Sequence, residues 1–375
     1  MRKIQMSDLR AQYDRIKPEI DSAIQSVINS TAFIKGPEVT MFEEELREYN
    51  GVKHVVSCAN GTDALRLALM ALGLKAGDEV ITSNFTFIAT VESIAMQGLK
   101  PVLIDPDHGS FNVTAESIKK AITPRTRAIM PVHLFGQCAD MENIMELARQ
   151  HSLYVIEDAA QATGADFIFS NKSVKKAGSI GHIGATSFFP SKNLGCYGDG
   201  GALYTNDDGI AGKLRSIANH GMKVRYCYDD IGVNSRLDTV QAAILRVKLR
   251  YHDLFNDARR TAADFYDRAL AACTGIETPR RMTFSTHIFN QYTIKVKDGR
   301  RDGLKKFLES KNIPSMVYYP SPLHSQDAYK YLGCGETDFP VTAQLCKQVI
   351  SLPIHSEMEQ QQLEYITDAV LEFFK

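Results

Sequence analysis

Short apolar runs alternate with segments of helical periodicity through the stretch that begins at His54 and ends at Ala202. Strands separated by helices of this length predict a mostly parallel sheet with helices on both faces, which is an α/β fold. The predicted strands are His54–Cys58, Glu79–Ser83, Pro101–Asp105, Ala128–His133, Tyr154–Asp158, Ala185–Phe189 and Ala202–Thr205. The predicted helices begin near Thr62, Ile88, Ala115 and Asp140. Ligands of such sheets bind outside the carboxyl ends of the strands, so a site is expected there.

The chain after residue 207 turns helical and then ends in a mixed α+β segment. The periodicity predicts one long helix, or two, from Asp238 to about Ala272. The elements predicted beyond it are strand Gln291–Val296, helix Gly303–Glu309, strand Ser315–Tyr319 and helices near Val341 and Gln360. We therefore expect a large α/β domain over residues 1–250 and a smaller α+β domain over residues 251–375. An amphipathic helix over Leu9–Asn29 is expected to lie over another domain or subunit.

Charge and apolar patterning argue against several classes of protein. Lys and Arg number 43 against 44 Asp and Glu, so no general attraction to nucleic acid or to an anionic membrane is expected. The first residues lack the apolar core of a signal peptide, and no apolar run is long enough to span a bilayer, so a cytoplasmic protein is expected. Seven scattered cysteines without a CxxC pair are interpreted as reduced thiols, without a metal site.

One lysine, Lys192, lies between an apolar strand-like run and a loop that carries four glycines, Gly195 to Gly201. A lysine amine is useful for covalent chemistry only when it is neutral, and a partly desolvated pocket lowers its pKa. Upstream of it, a second apolar strand ends in the carboxylate of Asp158. A Schiff-base lysine and a carboxylate that pairs with a pyridinium nitrogen are together the chemistry of pyridoxal phosphate.

Two further segments are suited to hold a phosphate. Gly61 and Thr62 open a helix, whose free amides and dipole attract anions, although an ordinary cap formed by Asn60 explains the same residues. Ser187, just before the lysine segment, supplies a second hydroxyl and favours the phosphate interpretation.

Other polar and aromatic positions have two interpretations each. Phe87 is suited to stack on a flat ring, and its alternative is to pack in the core. Gln161 is suited to donate to a phenolic oxygen, and its alternative is to be an ordinary surface amide. Asn234 and Arg236, in the turn before a long helix, suit a phosphate or a carboxylate, or simply begin the helix. Tyr318 and Tyr319 end a predicted strand and His324 follows it, where the three residues face a sugar or nucleotide or else pack in a core.

Other phosphate-binding chemistries are not supported by the sequence. No strand-to-helix turn carries G-x-G-x-x-G, so nicotinamide binding is not indicated. No G-x-x-x-x-G-K-[ST] segment exists either, so Lys192 is not a P-loop lysine.

The order and spacing of these motifs resemble a known family over nearly the whole chain. The sequence resembles the nucleotide-sugar aminotransferases, the DegT-like branch of the fold-type I pyridoxal-phosphate enzymes. The segments that carry the resemblance are Asn60–Leu65, Phe85–Phe87, Gly136–Asp140, Glu157–Gln161, Ser187–Lys192 and Gly232–Leu237. The implied fold has a large, mostly parallel sheet domain and a smaller C-terminal α+β domain.

The resemblance also implies roles for individual residues. Lys192 would form the Schiff base and later move protons, while Asp158 would bind the pyridine nitrogen and Gln161 the phenolic oxygen. Ser187 with the Gly61 and Thr62 amides would hold the phosphate, and Phe87 would stack on the ring. Asn234 would reach the cofactor phosphate of a neighbouring subunit, so a homodimer with shared active sites is expected.

Two positions depart from the commoner family pattern. Many members have His at the positions of Thr163 and Tyr318, and both positions are expected on the substrate side. These differences put the sugar specificity in doubt, and not the cofactor chemistry. Members that dehydrate sugars carry His in place of the lysine, so Lys192 argues for amination.

The expected reaction is transfer of the amino group of L-glutamate to a keto carbon, C3, of a nucleotide-linked sugar. The expected sugar is a UDP-linked 2-acetamido-3-oxo-hexuronate, whose carboxylate or diphosphate would meet Arg225 or Arg236 as a bidentate fork. A dTDP-3-keto-6-deoxyhexose aminotransferase is the alternative enzyme, and a non-catalytic pyridoxal-phosphate-binding regulator is the alternative of a different class. The product is expected to enter surface polysaccharide, including lipopolysaccharide.

Overall fold

A seven-stranded sheet forms the centre of the molecule in a computed structural model that describes residues 1–335 and 337–375. The strands are β1 (His54–Cys58), β2 (Glu79–Ser83), β3 (Lys100–Ile104), β4 (Thr126–Met130), β5 (Tyr154–Asp158), β6 (Asp166–Ile168), β7 (Val174–Lys176), β8 (Ile183–Ser187), β9 (Gly201–Thr205), β10 (Met222–Val224), β11 (Cys227–Tyr228), β12 (Ile276–Glu277), β13 (Tyr292–Val296) and β14 (Val349–Leu352). The large sheet contains a strand at each of the seven sites predicted for it.

Helices cover both faces of this sheet, and others pack in the C-terminal part of the chain. They are α1 (Leu9–Ser30), α2 (Pro37–Asn50), α3 (Gly61–Ala71), α4 (Ile88–Ala95), α5 (Ala115–Ala121), α6 (Met141–Gln150), α7 (Asp208–Ile217), α8 (Thr239–Arg250), α9 (His252–Leu270), α10 (Arg301–Ser310), α11 (Pro340–Gln348) and α12 (Gln360–Phe374). One apolar core packs α3 and α7 on the sheet, and another packs α5 and α6 on its opposite face. No helix within the described residues has the length and apolarity that a membrane span requires.

The strand order of the large sheet is β1-β9-β8-β5-β4-β2-β3. Every pair from β8 to β3 is parallel, whereas β9 runs antiparallel to both of its neighbours, β1 and β8. The carboxyl ends of β1, β2, β5 and β8 therefore lie at one edge, together with the beginning of β9. This edge carries the residues that follow those strands, and the expected site falls there.

A second, C-terminal core is built on the antiparallel sheet β12-β13-β14, with α9, α10 and α12 packed against it. The predicted strand Ser315–Tyr319 is wrong, because only Met316 forms a single bridge, to Ser351. The fully buried run of β14 pairs with β13 in its place. The 315–319 segment leaves that sheet because Tyr319 packs on Phe85 next to the large sheet.

The helical stretch from Asp238 to about Ala272 is two helices, which break at Tyr251. The predicted domain boundary near residue 250 falls at this break and stays a prediction. The extreme N-terminus lies with the C-terminal core, because Ile4 packs into that core and Arg2 pairs with Glu359. Helix α1, which covers the predicted amphipathic helix, packs on α8 of the same chain.

Candidate active site

A cavity of about 680 Å³ opens at the carboxyl edge of the large sheet, and we call it the Lys192 cavity. The predicted site residues that line it are Gly61, Thr62, Phe87, Asp158, Gln161, Ser187, Lys192, Tyr318 and Tyr319. A larger and more open groove lies at the opposite edge of the sheet, beside Tyr154 and His182. Tyr154 begins β5, and His182 directly precedes β8. The Lys192 cavity is the better candidate because it combines a lysine, a buried carboxylate and a helix N-terminus.

Lys192 is held on a tight turn directly after β8. Its backbone amide donates to the carbonyl of Phe189 at 2.8 Å, and the Cys196 amide donates to the carbonyl of Phe188 at 2.8 Å. Burial lowers the pKa of the Lys192 amine to about 8, although the nearby Asp158 carboxylate raises it. About a tenth of the amine is therefore neutral at pH 7, far more than for an ordinary lysine, and nucleophilic chemistry requires this neutral form.

The residue after the lysine anchors this turn from behind. The Asn193 side chain donates to Asn256 Oδ1 at 2.7 Å and to the Ile288 carbonyl at 3.0 Å, and it accepts from Asn290 Nδ2 at 3.0 Å. Asn290 itself lines the Lys192 cavity. These bonds join the lysine turn to α9 and to the segment that leads into β13, so the backbone at Lys192 is fixed by distant parts of the chain.

Asp158 ends β5 and is 5% exposed. Its Oδ2 accepts from the hydroxyl of Thr90 at 2.8 Å, and its Oδ1 accepts from the Ala160 amide at 3.2 Å. Burial raises the pKa of Asp158, and these two hydrogen bonds together with the charge of Lys192 act in the opposite direction. The carboxylate therefore has no cationic hydrogen-bond partner among the described residues, and a cationic ligand would supply one.

The neighbouring carboxylate, Glu157, has a different role. It is fully buried and accepts from His133 Nε2 at 2.8 Å and from the amides of Gly178, Ile180 and Gly181. Burial raises the pKa of Glu157, but these hydrogen bonds outweigh burial and lower it overall. The acceptor sites of Glu157 are thus used inside the protein. Of these two adjacent carboxylates, Asp158 is the one that faces the Lys192 cavity.

The N-terminus of α3 forms the other end of the cavity. Asn60 caps the helix by accepting from the Asp63 amide at 2.8 Å, so the cap interpretation is correct for this residue. The Gly61 and Thr62 amides have no acceptor among the described residues and are free for an anion. A Cβ on Gly61 would lie 2.6 Å from the Cβ of Ser187. Only glycine lets the Ser187 hydroxyl approach this helix end so closely.

Gln161 and two aromatic rings form the side wall. Gln161 Oε1 accepts from the Phe135 amide at 2.8 Å, and its Nε2 donates to the Tyr319 hydroxyl at 3.1 Å. Phe87 precedes α4 and is 55% exposed, with its ring centroid 6.5 Å from that of Tyr319. Its neighbour Phe85 is buried in the core, so of these two phenylalanines it is Phe87 that presents a ring to the cavity.

Four of the predicted residues lie outside the Lys192 cavity. His324 is buried, with its backbone amide and ring bonded to the Asn84 side chain, which supports the core interpretation; its contact with substrate stays a prediction. Asn234 and Arg225 are exposed, and Arg225 covers the ring of Tyr226 on the β10–β11 hairpin. Arg236 lines a separate cavity of about 270 Å³.

Thr163 also lies away from the expected substrate side. It is 5% exposed, and its hydroxyl pairs with that of Thr186 at 2.7 Å while its carbonyl faces His252 Nε2 at 2.8 Å. Tyr318, the other departure from the family pattern, does line the cavity.

Several lining residues were missed by sequence reasoning. Thr90 of α4 contacts Asp158, and Thr86, just before α4, contacts Thr90; the spacing of two threonines carries no signal for such contacts. Among the described residues the charged lining groups are the acids Asp63, Glu92, Asp158 and Asp199 and the bases Arg66 and Lys192. Arg66 is paired with Asp63 at 3.3 Å. The described lining of the cavity therefore offers little positive charge to a polyanionic ligand.

Comparison with known proteins decides what this arrangement belongs to. The model of the DegT/DnrJ/EryC1/StrS aminotransferase family matches residues 14–371. The chain belongs to this aminotransferase family. It is therefore a transaminase of the DegT/DnrJ/EryC1/StrS type, as its Lys192 and Asp158 motifs indicate.

Individual members of the DegT/DnrJ/EryC1/StrS family are similar over almost their full length. A pleiotropic regulatory protein of Geobacillus stearothermophilus is 44% identical over 99% of both chains. A UDP-2-acetamido-2-deoxy-3-oxo-D-glucuronate aminotransferase of Pseudomonas aeruginosa is 43% identical over 98% of this chain and 99% of its own. The crystal structure of S. venezuelae DesV superposes with a TM-score of 0.96 at 38% identity, covering 100% of this chain and 99% of DesV.

Pyridoxal phosphate is the cofactor of this family member, and the Lys192 cavity fits it. The amine of Lys192 suits its aldehyde, the buried Asp158 carboxylate suits a protonated ring nitrogen, and the free amides at Gly61 suit its phosphate. The predicted fold class agrees with this family and with the observed sheet.

Proposed function

We propose that this transaminase moves the amino group of L-glutamate to the C3 keto carbon of a UDP-linked 2-acetamido-3-oxo-hexuronate. The observation that carries the reaction type is the partly desolvated Lys192 amine in one cavity with the buried Asp158 carboxylate. The sugar is inferred from the name of the Pseudomonas aeruginosa relative, which is similar over 98% of this chain.

In this proposal each cavity residue has one task. Bound pyridoxal phosphate supplies an electron sink for the carbanion formed at the substrate carbon. The Nζ amine of Lys192 would hold the cofactor at its aldehyde, and the same amine, once free, would accept the α-proton of glutamate. It would move a proton in the reverse sense when the keto sugar is aminated.

The remaining residues bind and orient the cofactor. Asp158 pairs with the ring nitrogen, and the Gln161 amide donates to the phenolic oxygen. Ser187 and the amides of Gly61 and Thr62 bind the phosphate, while the Phe87 ring stacks on the pyridine face, which contributes about 1 kcal/mol. Tyr318 and Tyr319 form the wall that faces the sugar.

We further propose that the active unit is a homodimer whose sites are completed by a second copy. The described lining of the Lys192 cavity has four carboxylates against two bases, and Arg66 is already paired with Asp63. A nucleotide sugar brings a diphosphate and, for a uronate, a carboxylate. Asn234, Arg225 and Arg236 lie outside the cavity of their own protomer, so a partner's copies of these residues would supply the missing donors.

Two alternatives keep specific support. A dTDP-linked 3-keto-6-deoxyhexose lacks the carboxylate, and an Arg-poor cavity within one protomer suits it equally. A regulator without turnover is suggested by the name of the Geobacillus stearothermophilus relative. The intact Lys192 and its lowered pKa favour catalysis over the regulator.

The first test is the absorption spectrum of the purified protein with pyridoxal phosphate, before and after addition of glutamate. We expect a visible band that disappears with glutamate in the wild type, and no such turnover in Lys192→Ala. A protein that does not respond to either compound would overturn the proposal. UDP- and dTDP-linked 3-keto sugars are then compared as acceptors.

Substitution of the two arginines separates the candidate sugars. If the acceptor is a uronate, Arg225→Met or Arg236→Met should remove most of the activity, because a bidentate partner of the carboxylate is lost. If the acceptor is a 6-deoxy sugar, it has no carboxylate contact to lose, and both variants should keep most of their activity towards it.

A further inference from the structure

Thr86, just before α4, and Thr90 of α4 form a hydrogen-bonded chain that ends on Asp158. Thr90 Oγ1 lies 2.8 Å from Asp158 Oδ2, and Thr86 Oγ1 lies 3.1 Å from Thr90 Oγ1. Both threonines are 1% exposed and both contribute to the wall of the Lys192 cavity. Thr90 lies in the first turn of α4 and Thr86 lies directly before the N-cap residue Phe87, so the two hydroxyls meet at the start of the helix.

The direction of donation in this chain is fixed by counting hydrogens. An ionised carboxylate only accepts hydrogen bonds, and a threonine hydroxyl has a single hydrogen to donate. Thr90 therefore uses its hydrogen on Asp158 and must accept from Thr86. The chain runs in one direction, from Thr86 to Thr90 to Asp158, and each donor strengthens the next.

A hydroxyl is an unusual choice as the main side-chain partner of a buried carboxylate. An Arg or Lys partner would neutralise the charge and compete with any cationic ligand, whereas a hydroxyl stabilises the charge and leaves it in place. The second oxygen of Asp158 is held by the Ala160 amide at 3.2 Å, which is likewise uncharged. The carboxylate is thus oriented on both oxygens, and its full negative charge stays available to the cavity.

We propose that Thr90, itself held by Thr86, is a positioning residue that keeps Asp158 ionised and aimed at the protonated ring nitrogen of the cofactor, and so sets the affinity for that ring. This inference rests on the role proposed for Asp158. The two hydroxyls would then have a function beyond supplying each other with a hydrogen-bond partner inside the protein.

The test compares Thr90→Val, which removes the hydroxyl, with Thr90→Ser, which keeps it. Binding of pyridoxamine 5′-phosphate to cofactor-free protein is measured by titration, because this compound forms no covalent bond with Lys192 and reports on the ring contacts. We expect Thr90→Val to weaken binding about tenfold, since a hydrogen bond to a charged group is lost. Thr90→Ser should stay within about twofold of the wild type.

A pH series adds a result that a purely structural role would not produce. Affinity should fall on acidification when Asp158 becomes protonated, and loss of a donor makes that protonation easier. The fall should therefore begin at higher pH in Thr90→Val than in the wild type. The other groups that act on Asp158, Lys192 and His133, are the same in both proteins.

Thr86→Val is the second variant, in case Thr90→Val does not fold. It should weaken binding in the same direction by a smaller factor, about twofold to threefold, because Thr86 acts only through Thr90. Equal affinity and an unchanged pH profile in a folded Thr90→Val protein would overturn the positioning role. Absence of binding in the wild type would instead overturn the proposed function, so the two failures are distinguishable.

Discussion

The side-chain amide of Gln161 donates to the Tyr319 hydroxyl at 3.1 Å, which joins the end of the central sheet to a loop 158 residues later in the chain. The other end of the same amide accepts from Phe135. Gln161 is therefore fixed at both ends, and one of its two N–H hydrogens stays free for a ligand. This contact connects the proposed cofactor site with the proposed sugar wall.

Removal of the Tyr319 hydroxyl should weaken cofactor binding without unfolding the protein. In Tyr319→Phe the ring still packs on Phe85, but Gln161 loses one of its two anchors. We expect about threefold weaker binding of pyridoxal phosphate, measured by absorption titration. Tyr318→Phe is the matched control, because no hydrogen bond of its hydroxyl is found in the described residues. Equal effects of the two changes would contradict the coupling of Tyr319 to Gln161.

Covalent capture of pyridoxal phosphate by the cofactor-free protein should depend on pH with a midpoint near the pKa of about 8 of Lys192. Only the neutral amine reacts, so the rate should rise as pH increases towards and past 8 and then level off. At pH 7 about a tenth of the amine is neutral, far more than for an ordinary lysine. Stopped-flow absorption measures this rate.

Two variants serve as controls for this experiment. Lys192→Ala should abolish the visible band, and Lys213→Ala, an exposed position on α7, should leave the profile unchanged. A midpoint near 10.5, the ordinary value for lysine, would show that the amine is not desolvated.

The buried Glu157 carboxylate should stabilise the fold in a pH-dependent manner. Its pKa is lowered in the folded protein, so its contribution is present above the unfolded pKa and is lost as pH falls through the folded value. We expect Glu157→Gln to lower the free energy of unfolding by about 3 kcal/mol at pH 7, because glutamine keeps only one acceptor oxygen and places an NH2 group against two of the four buried donors. Urea denaturation at pH 7 and pH 4 measures it. A difference that grows towards acid pH would contradict the assignment.

The buried Asn193 should matter for both stability and activity. Asn193→Ala removes three hydrogen bonds and leaves Asn256 and Asn290 with unsatisfied groups. We expect a loss of about 2–3 kcal/mol in unfolding free energy. We also expect a lower rate of the glutamate half-reaction at a temperature where the variant is folded, since the Lys192 turn is released. Normal turnover in a destabilised variant would limit Asn193 to a structural role.

A shared active site predicts complementation between two inactive variants. Lys192→Ala and Asn234→Ala proteins are mixed, unfolded and refolded together. A heterodimer then contains one site with both Lys192 and the partner's Asn234, so about a quarter of wild-type activity should return. A mixture no more active than the two separate variants would argue against a site built from two copies.

Much of the fold was accessible from the sequence because its signals are local. Alternating apolar runs and helix starts predict the seven strands, and the strand that ends at Asp158 and the turn at Lys192 are visible as short motifs. The C-terminal core was harder to predict. The segments 315–319 and Val349–Leu352 are both apolar, and only pairing along β13 shows which of them is the strand.

The sequence by itself determined the fold class, the position of the reactive lysine and the carboxylate at the end of β5, since each depends on neighbours along the chain. Only the tertiary structure decided which side chains meet. It brings Thr90 to Asp158, buries His324 and Thr163, and leaves Arg225 outside its own cavity. Such contacts depend on how separate elements pack, and spacing along the chain carries no record of that.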